Sequence, residues 1–505
     1  MTAGAEHLDE PTAPESFLRE PYRLACQAVV GEPEAVVDFQ ILRRRLRIVV
    51  PEPDRGVRSI DPAVRVVDGI VCWGDEPIEP AHGGVYGIAL DVGTTTLALE
   101  LVDLLDGRTV EVVALENPQR FGGSDVMSRI SYDDGPERGE LRQAVRRAVN
   151  SELRALYERT GISRREVYEI VVVGNSTMRD LFFDLDVAPI GQMPYKSTVE
   201  LELLDGSRTS TDFCALAYRL GLKVHPKARV WGAPLIASHV GADVAADLVA
   251  IGLSADENEV VMLVDVGTNT EVVLAGRGRI LAASCPAGPA FEGGEVTYGM
   301  QAADGAIESL RLRPDGTAEI ETIGGETPVG LCGSGLVDLV AELRRHGEMT
   351  PKGVFGDRAQ EVVVVPEAGI TFSRADASAL AQAKAANTVG QWILLRELGV
   401  APREVDRLYL AGGFATYVNV ENAIEIGFLA PVRPERVTKV GNASLRGARE
   451  LLLSSPARER LERLVRRIEH IELETTPDFF ELFVDACQFK PLPSSFGSEG
   501  DRIAV

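Results

Sequence analysis

Twice along the chain an apolar run ends in Asp-Val-Gly-Thr: GIALDVGTTT at 87–96 and VMLVDVGTNT at 261–270. The segments downstream of the two runs also match. LALELVDLLDGRTVEVV after the first predicts two strands about an Asp106-Gly107 turn, and EVVLAGRGRILAASC after the second predicts two about Gly276-Arg277-Gly278. Glycine supplies the positive φ such turns need, so both segments predict a strand running into a β-hairpin. A helical period comes next in each half. RGELRQAVRRAVNSELRALYERTG carries Val145, Val149, Leu153 and Leu156 on one stripe, and SRADASALAQAKAANTVGQWILLRELG opens with Ser373 and, three residues on, Asp376, a capping-box pattern. Each helix leads to an apolar strand ending in glycine, EIVVVGNSTM and RLYLAGGFAT. RVWGAPLIASHVGADVAADLVA and TKVGNASLRGARELLL then close the halves with a last strand and helix.

Four kinds of element in one order, twice, predict a duplicated α/β lobe: the first over 86–255, the second over 256–490. An insertion at about 284–372 interrupts the second lobe and contains a Gly-rich turn before a helix with Leu336, Leu339, Val340 and Leu343 on one face. Ahead of the lobes, residues 1–50 hold a few strand-like runs such as VVDFQILRRRLRIVV, and 51–85 reads as linker. The tail 491–505 is expected to be disordered.

Charge narrows the partners. Lys and Arg number 52 against 76 Asp and Glu, a net −24, which repels nucleic acid and anionic lipid; neither is expected to bind. No apolar run reaches membrane-span length, and MTAGAEHLDEPTAPESF has neither a basic nor an apolar leader region. The six cysteines (Cys26, Cys72, Cys214, Cys285, Cys332, Cys487) form no C-x-x-C pair. That usage suits a reducing cytoplasm without a disulfide framework or zinc site.

The repeated phrase carries readable chemistry. Gly93 and Gly267 let turn amides approach an anion, and the hydroxyls of Thr94, Thr95, Thr96 and Thr268 can donate to phosphate oxygens. A carboxylate beside phosphate is repelled unless a hard cation lies between them, so Asp91 and Asp265 imply Mg²⁺, reached through water. One ordinary turn explains one copy. Two copies at the same point of a duplicated lobe are better explained as a nucleotide clamped between the lobes.

The arrangement resembles the ASKHA superfamily of acetate and sugar kinases, actin and heat-shock ATPases, which implies two RNase H-like lobes around an ATP cleft. DVGTTT looks like the first phosphate motif, DVGTNTE the second, and LAGGFA the adenosine motif. The resemblance implies ATP contacts at Gly93 to Thr96, Gly267, Thr268 and Asn269, with Gly412, Gly413 and Phe414 near the adenosine. Further contacts are expected at Gly174, Asn175 and Ser176, at Gly333, Ser334 and Gly335, and at Gly441 and Asn442. Asp91 and Asp265 are the expected catalytic and metal-side carboxylates, with Glu271 a further candidate. No G-x-x-x-x-G-K-[ST] is present.

NPQRFGGSDVMSRI, VGNSTM, ASHVGAD, AGPAFEGGEVTYGM, GLCGSGLVDL, LAGGFATYVNVENAIEIGFL and VGNASLRGAREL together resemble the reductive activators of corrinoid proteins. That family couples ATP to the uphill return of an inactive Co(II) corrinoid to Co(I), through a plant-type [2Fe–2S] domain ahead of the ATPase. Such a cluster needs C-x₄-C-x₂-C and a further Cys. Here only Cys26, in PYRLACQAVV, looks like one of those ligands, so no iron–sulfur cluster is expected and residues 1–50 look like a remnant of that domain. The partners implied are a corrinoid protein of a methyl-transfer system and a separate electron donor, with a homodimer as an option.

Two alternatives remain open on the sequence. A small-molecule kinase would need an acceptor-side base, which His239 or Asp304 could supply; a chaperone-like nucleotide switch would need none. His239 otherwise reads as a helix-start residue satisfied by backbone, Cys332 as a small buried residue before a tight turn, and Arg43 to Arg47 as a solvated strand face. NPQRFGGSDVMSRI reads as a partner-facing loop or a plain long connection.

Overall fold

In the computed structural model, which describes residues 4–12, 23, 28–31, 35–37, 60–254, 259–313 and 317–493, a three-stranded antiparallel sheet precedes the repeat. Its strands are β1 (Val64–Val67), β2 (Ile70–Trp73) and β3 (Glu76–Pro80). Of the 51–85 segment expected to be linker, 51–59 lie outside the described residues and 64–80 form this sheet instead. The strands are too short for their alternation to stand out, yet Asp68, Gly69 and Gly74 take the positive φ of tight turns. The sheet buries Val64, Val71 and Ile78 against Val85 and Leu104 of the first lobe. Cys26 and Arg43 to Arg47 lie outside the described residues.

The first lobe runs β4 (Tyr86–Val92), β5 (Thr96–Asp103), β6 (Thr109–Glu116), α1 (Val126–Asp133), α2 (Glu140–Thr160), β7 (Val167–Val173), α3 (Ser176–Phe183), α4 (Thr198–Leu204), β8 (Phe213–Leu216), β9 (Arg229–Gly232) and α5 (Ala242–Ala250). Its sheet has the order β6-β5-β4-β7-β9-β8, with β7 and β9 parallel to β4 and the β4–β5–β6 hairpins antiparallel. On α2 the expected stripe of Val145, Val149, Leu153 and Leu156 is buried, joined by Leu141.

The second lobe runs β10 (Val261–Val266), β11 (Thr270–Gly276), β12 (Arg279–Cys285), β13 (Ala306–Leu312), β14 (Ala318–Thr322), β15 (Gly330–Leu331), α6 (Gly333–Arg345), β16 (Glu361–Val365), β17 (Ile370–Ser373), α7 (Arg374–Leu398), β18 (Arg407–Ala411), α8 (Val420–Glu425), β19 (Val437–Gly441) and α9 (Ala443–Leu453). After these come α10 (Ser455–Val465), β20 (Ile468–His470) and α11 (Phe479–Ala486). The sheet order is β19-β18-β10-β11-β12-β20, and β18 and β19 are parallel to β10. Both lobes therefore share one hairpin–hairpin–crossover–crossover topology. The capping box of α7 forms: Ser373 Oγ accepts from Asp376 N at 3.1 Å, and Asp376 Oδ2 accepts from Ser373 N at 2.8 Å.

The helices that end the two repeats join the lobes. α9, at the end of the second repeat, packs on β4, β5 and β7 of the first sheet, through Leu445, Ala448, Leu451 and Leu452. α5, at the end of the first, turns Val244 and Leu248 toward Leu263, Val273 and Ala282 of the second. The two helices cross where Gly447 faces Ala246; a Cβ at Gly447 would stand 1.9 Å from the Ala246 carbonyl oxygen. Glycine is required there by the closeness of the backbones.

Candidate functional site

The hairpin turns after β4 and β10 face each other between the lobes. Thr95 Oγ1 and Thr268 Oγ1, 173 residues apart in sequence, are 2.9 Å from one another. The two turns differ by one residue. Asp91 pairs with Ala98 and the turn closes from Gly93 N to Thr96 O, whereas Asp265 pairs with Glu271 and the turn closes from Gly267 N to Asn269 O. The extra residue gives the first turn two hydroxyls, Thr94 and Thr95, in the loop itself.

Each turn is braced from behind in the same way. Gly174, after β7, and Gly412, after β18, have positive φ, and a Cβ would meet Val92 O at 2.6 Å or Val266 O at 2.1 Å. Both glycines therefore hold the ends of β4 and β10 by close backbone approach. Gly413 is exposed with no heavy atom near its missing Cβ, and the adjoining 3₁₀ turn Phe414–Thr416 packs against α6. Gly333, Ser334 and Gly335 form the first turn of α6, which also packs on the 3₁₀ turn Ala290–Glu292.

Side-chain contacts separate the remaining expected residues. Asn175 Nδ2 donates to Thr94 Oγ1 at 2.8 Å, within the first turn. Ser176 Oγ instead donates to the Ala237 carbonyl at 3.2 Å. Ser334 is buried with its Oγ 3.3 Å from Cys332 Sγ, and burial raises the Cys332 thiol pKa, so that cysteine is a packed core residue. Gly441 O accepts from Gly412 N at 3.0 Å, and Asn442, the N-cap of α9, reaches across to donate to Asp91 Oδ2 at 3.1 Å.

Carboxylates crowd the space between the turns. Burial pushes Asp91 up to about 7, with the Asp265 charge adding to it and the Asn442 amide opposing it. Asp265 is also raised, chiefly by burial and further by Glu292, while a hydrogen bond from Asp247 opposes the rise. Asp247 is fully buried and raised well above the ordinary range, chiefly by burial and then by the Asp265 and Asp243 charges. Asp243 and Glu271 are raised by burial and then by these neighbours, and Ser284 Oγ donates to Glu271 at 3.2 Å. Uncompensated carboxylates beside two glycine–threonine turns fit a hydrated Mg²⁺, which takes one or two carboxylates and leaves its other positions to water and phosphate. Among the described residues no three acidic, His or Cys side chains converge to hold a metal ion.

Sequence reasoning missed four groups. Glu292 accepts from Thr95 Oγ1 at 2.9 Å and Thr268 Oγ1 at 2.5 Å, bridging both turns. Asn117, fully buried, donates from Nδ2 to Gly93 O and from its backbone N to Thr95 O, each at 2.8 Å, so the start of NPQRF supports the first turn. Asp243 and Asp247 stand one turn apart on α5, and their i, i+4 spacing in ASHVGADVAAD was the available signal. His239 is exposed beside Tyr195, ring centroids 6.5 Å apart, and Asp304 is exposed against Gly324. Neither kinase-base candidate is hydrogen-bonded to a turn threonine or a cleft carboxylate.

Comparison with known proteins settles the family. The family described as the RACo middle region matches residues 86–256, and the C-terminal domain of RACo, the ASKHA domain, matches 259–496. A solved structure, the reductive activator for corrinoid, iron-sulfur protein, superposes with a TM-score of 0.74 at 33% identity, covering 83% of this chain and 69% of that one. The chain belongs to the reductive activators of corrinoid proteins. Curated relatives of this activator include the corrinoid activation enzyme RamQ of Eubacterium limosum, 29% identical over 90% of this chain and 80% of that one. A second is the [Co(II) methylated amine-specific corrinoid protein] reductase of Methanosarcina barkeri, 26% identical over 79% and 76%. The activator's two lobes are thus the ASKHA fold expected from the repeated phrase.

Proposed function

We propose that the chain reductively activates a corrinoid protein of a methyl-transfer system, using Mg·ATP in the cleft to drive one electron onto Co(II) and give Co(I). The observation that carries the ATP half is the meeting of the two Asp-Val-Gly-Thr turns, with Thr95 and Thr268 hydroxyls 2.9 Å apart across the lobes. ATP and water become ADP and phosphate, and the electron comes from a separate donor. No iron–sulfur cluster is assigned to the chain.

The residues divide the work. The Thr94, Thr95, Thr96, Thr268 and Asn269 side chains bind phosphate oxygens, and Gly93 and Gly267, whose amides close the turns, give those turns their shape. Gly413 and Phe414, with Gly333 to Gly335 opposite, border the adenosine; Gly174 and Gly412 keep the turns in place. Asp91 and Asp265 would hold Mg²⁺, which would supply positive charge to offset that of the phosphates. Asp265, beside buried Asp247, orients the attacking water. Asn175 and Asn442 position Thr94 and Asp91, and Glu271 adds to the field around Asp265. A change in lobe angle with nucleotide state alters affinity for the Co(II) protein, which couples hydrolysis to reduction.

Asp265→Ala tests this assignment. Hydrolysis should fall by about 100-fold or more with circular dichroism and melting cooperativity intact, the scale of loss for a group that organises a reacting site. Undiminished turnover in a folded variant would remove Asp265 from the mechanism.

A further inference from the structure

Glu292 stands where the two lobes' hydroxyls converge. Its Oε2 accepts from Thr95 Oγ1 at 2.9 Å and Thr268 Oγ1 at 2.5 Å, while those two oxygens are 2.9 Å from each other. A threonine hydroxyl has one proton to donate. Both protons are spent inside this triangle, whether each goes to Glu292 or one passes between the threonines. A phosphate oxygen that recruits either hydroxyl must take it from the carboxylate. Glu292 and a terminal phosphate are both anionic acceptors for the same pair of donors, and one excludes the other.

We infer that Glu292 is a terminal-phosphate sensor: it ties the lobes together through Thr95 and Thr268 until the last phosphate of a nucleoside triphosphate displaces it. The inference rests on the cleft binding nucleotide as proposed above. A diphosphate, lacking that last group, leaves Glu292 on the hydroxyls, so the residue sets the selectivity between the two nucleotides. The displaced carboxylate is not left without compensation. Burial raises the Glu292 pKa, the two threonine hydroxyls and the Arg120 and Arg129 charges oppose that rise, and Arg129 is fully buried with Nη2 unpartnered. Arg129 belongs to the GGSDVMSRI segment and donates from Nη1 to Met178 Sδ at 3.1 Å and from Nε to Gly123 O at 3.0 Å. Glu292 itself sits on a single 3₁₀ turn, Ala290–Glu292, followed by Gly293 and Gly294, so its side chain can move without dragging a long helix.

The test is equilibrium binding of a non-hydrolysable ATP analogue and of ADP to the full chain, by calorimetry in Mg²⁺. Glu292→Gln should tighten the ATP analogue about tenfold and leave ADP nearly unchanged, the size of one charge-assisted hydrogen bond released from competition. Plain repulsion between Glu292 and a phosphate would give the same sign, so the second variant is Thr268→Val with and without Glu292→Gln. Competition for the hydroxyls predicts that the gain largely disappears in the Thr268→Val background; full persistence there overturns the inference. Glu292→Ala, checked by melting, repeats the measurement should the amide hold the threonines as the carboxylate does. Equal effects on both nucleotides, or weaker binding of both, also overturn it. Failure of the wild-type chain to bind either nucleotide is a different result and rejects the nucleotide cleft itself.

Discussion

At the residue scale the cleft is a cluster of carboxylates held against their own preference, and this has a measurable cost. Asp91 sits at about 7 in the folded chain against about 4 for an exposed aspartate. Between those values the folded chain holds a proton that the unfolded chain has lost. Stability contributed by this group therefore declines as pH rises from about 4 through about 7, and the full penalty is present above that. Asp91→Asn removes the penalty and keeps an acceptor for the Asn442 amide. Its melting midpoint should exceed that of wild type at pH 8, on the order of 2 kcal/mol more stable, with the gap closing toward pH 4. The same variant should hydrolyse ATP poorly, the trade expected where a site is charged for function. A variant less stable than wild type at pH 8 would show that the carboxylate is compensated in the fold. Asp91 and Asp265 stood out in the sequence because each opens a repeated Asp-Val-Gly-Thr phrase. Glu292 was not: it lies 197 residues from Thr95, inside a segment read as insertion, and one glutamate among glycines gives no periodic signal.

At the scale of elements, hydrophobic period identified most of the strands and helices that build the two sheets, because each is a long run with one buried face. The stripe on α2 and the capping box on α7 both form. Period tells which face of a helix is apolar, though, and says nothing of what covers it. That is why the packing of α9 on the opposite sheet, and of α5 against both, was invisible in the sequence. The short strands of the 64–80 sheet escaped for another reason: four or five residues each, with a single buried position in β1 and β3, give too little alternation. The α5–α9 crossing carries its own prediction. Gly447→Ala places a methyl group on the Ala246 carbonyl and should lower stability by about 1–3 kcal/mol in thermal or urea unfolding. Because these helices link the lobes, nucleotide affinity should fall with it. An unchanged melting curve would mean that the helices separate freely.

At the scale of the whole molecule, two lobes meet at two turns in front and are joined by α5 and α9 behind. Thr95–Thr268–Glu292 and Asn442–Asp91 are among the polar contacts between the lobes and lie at the turns, so whatever occupies the turns should bias the angle between the lobes. Coupling follows if the Co(II) form of the corrinoid protein favours one of those angles more than its other forms do. Net charge of −24 makes any such contact sensitive to the partner's charge and to ionic strength. The central claim, that ATP turnover is linked to the Co(II) state, is tested most directly by Mg²⁺-dependent ATP hydrolysis under anaerobic conditions. The rate would be measured with the chain alone, with a corrinoid protein in the Co(II) state, and with the same protein methylated. A slow basal rate, stimulation by the Co(II) form and none by the methylated form are expected. Equal rates in all three conditions would contradict it.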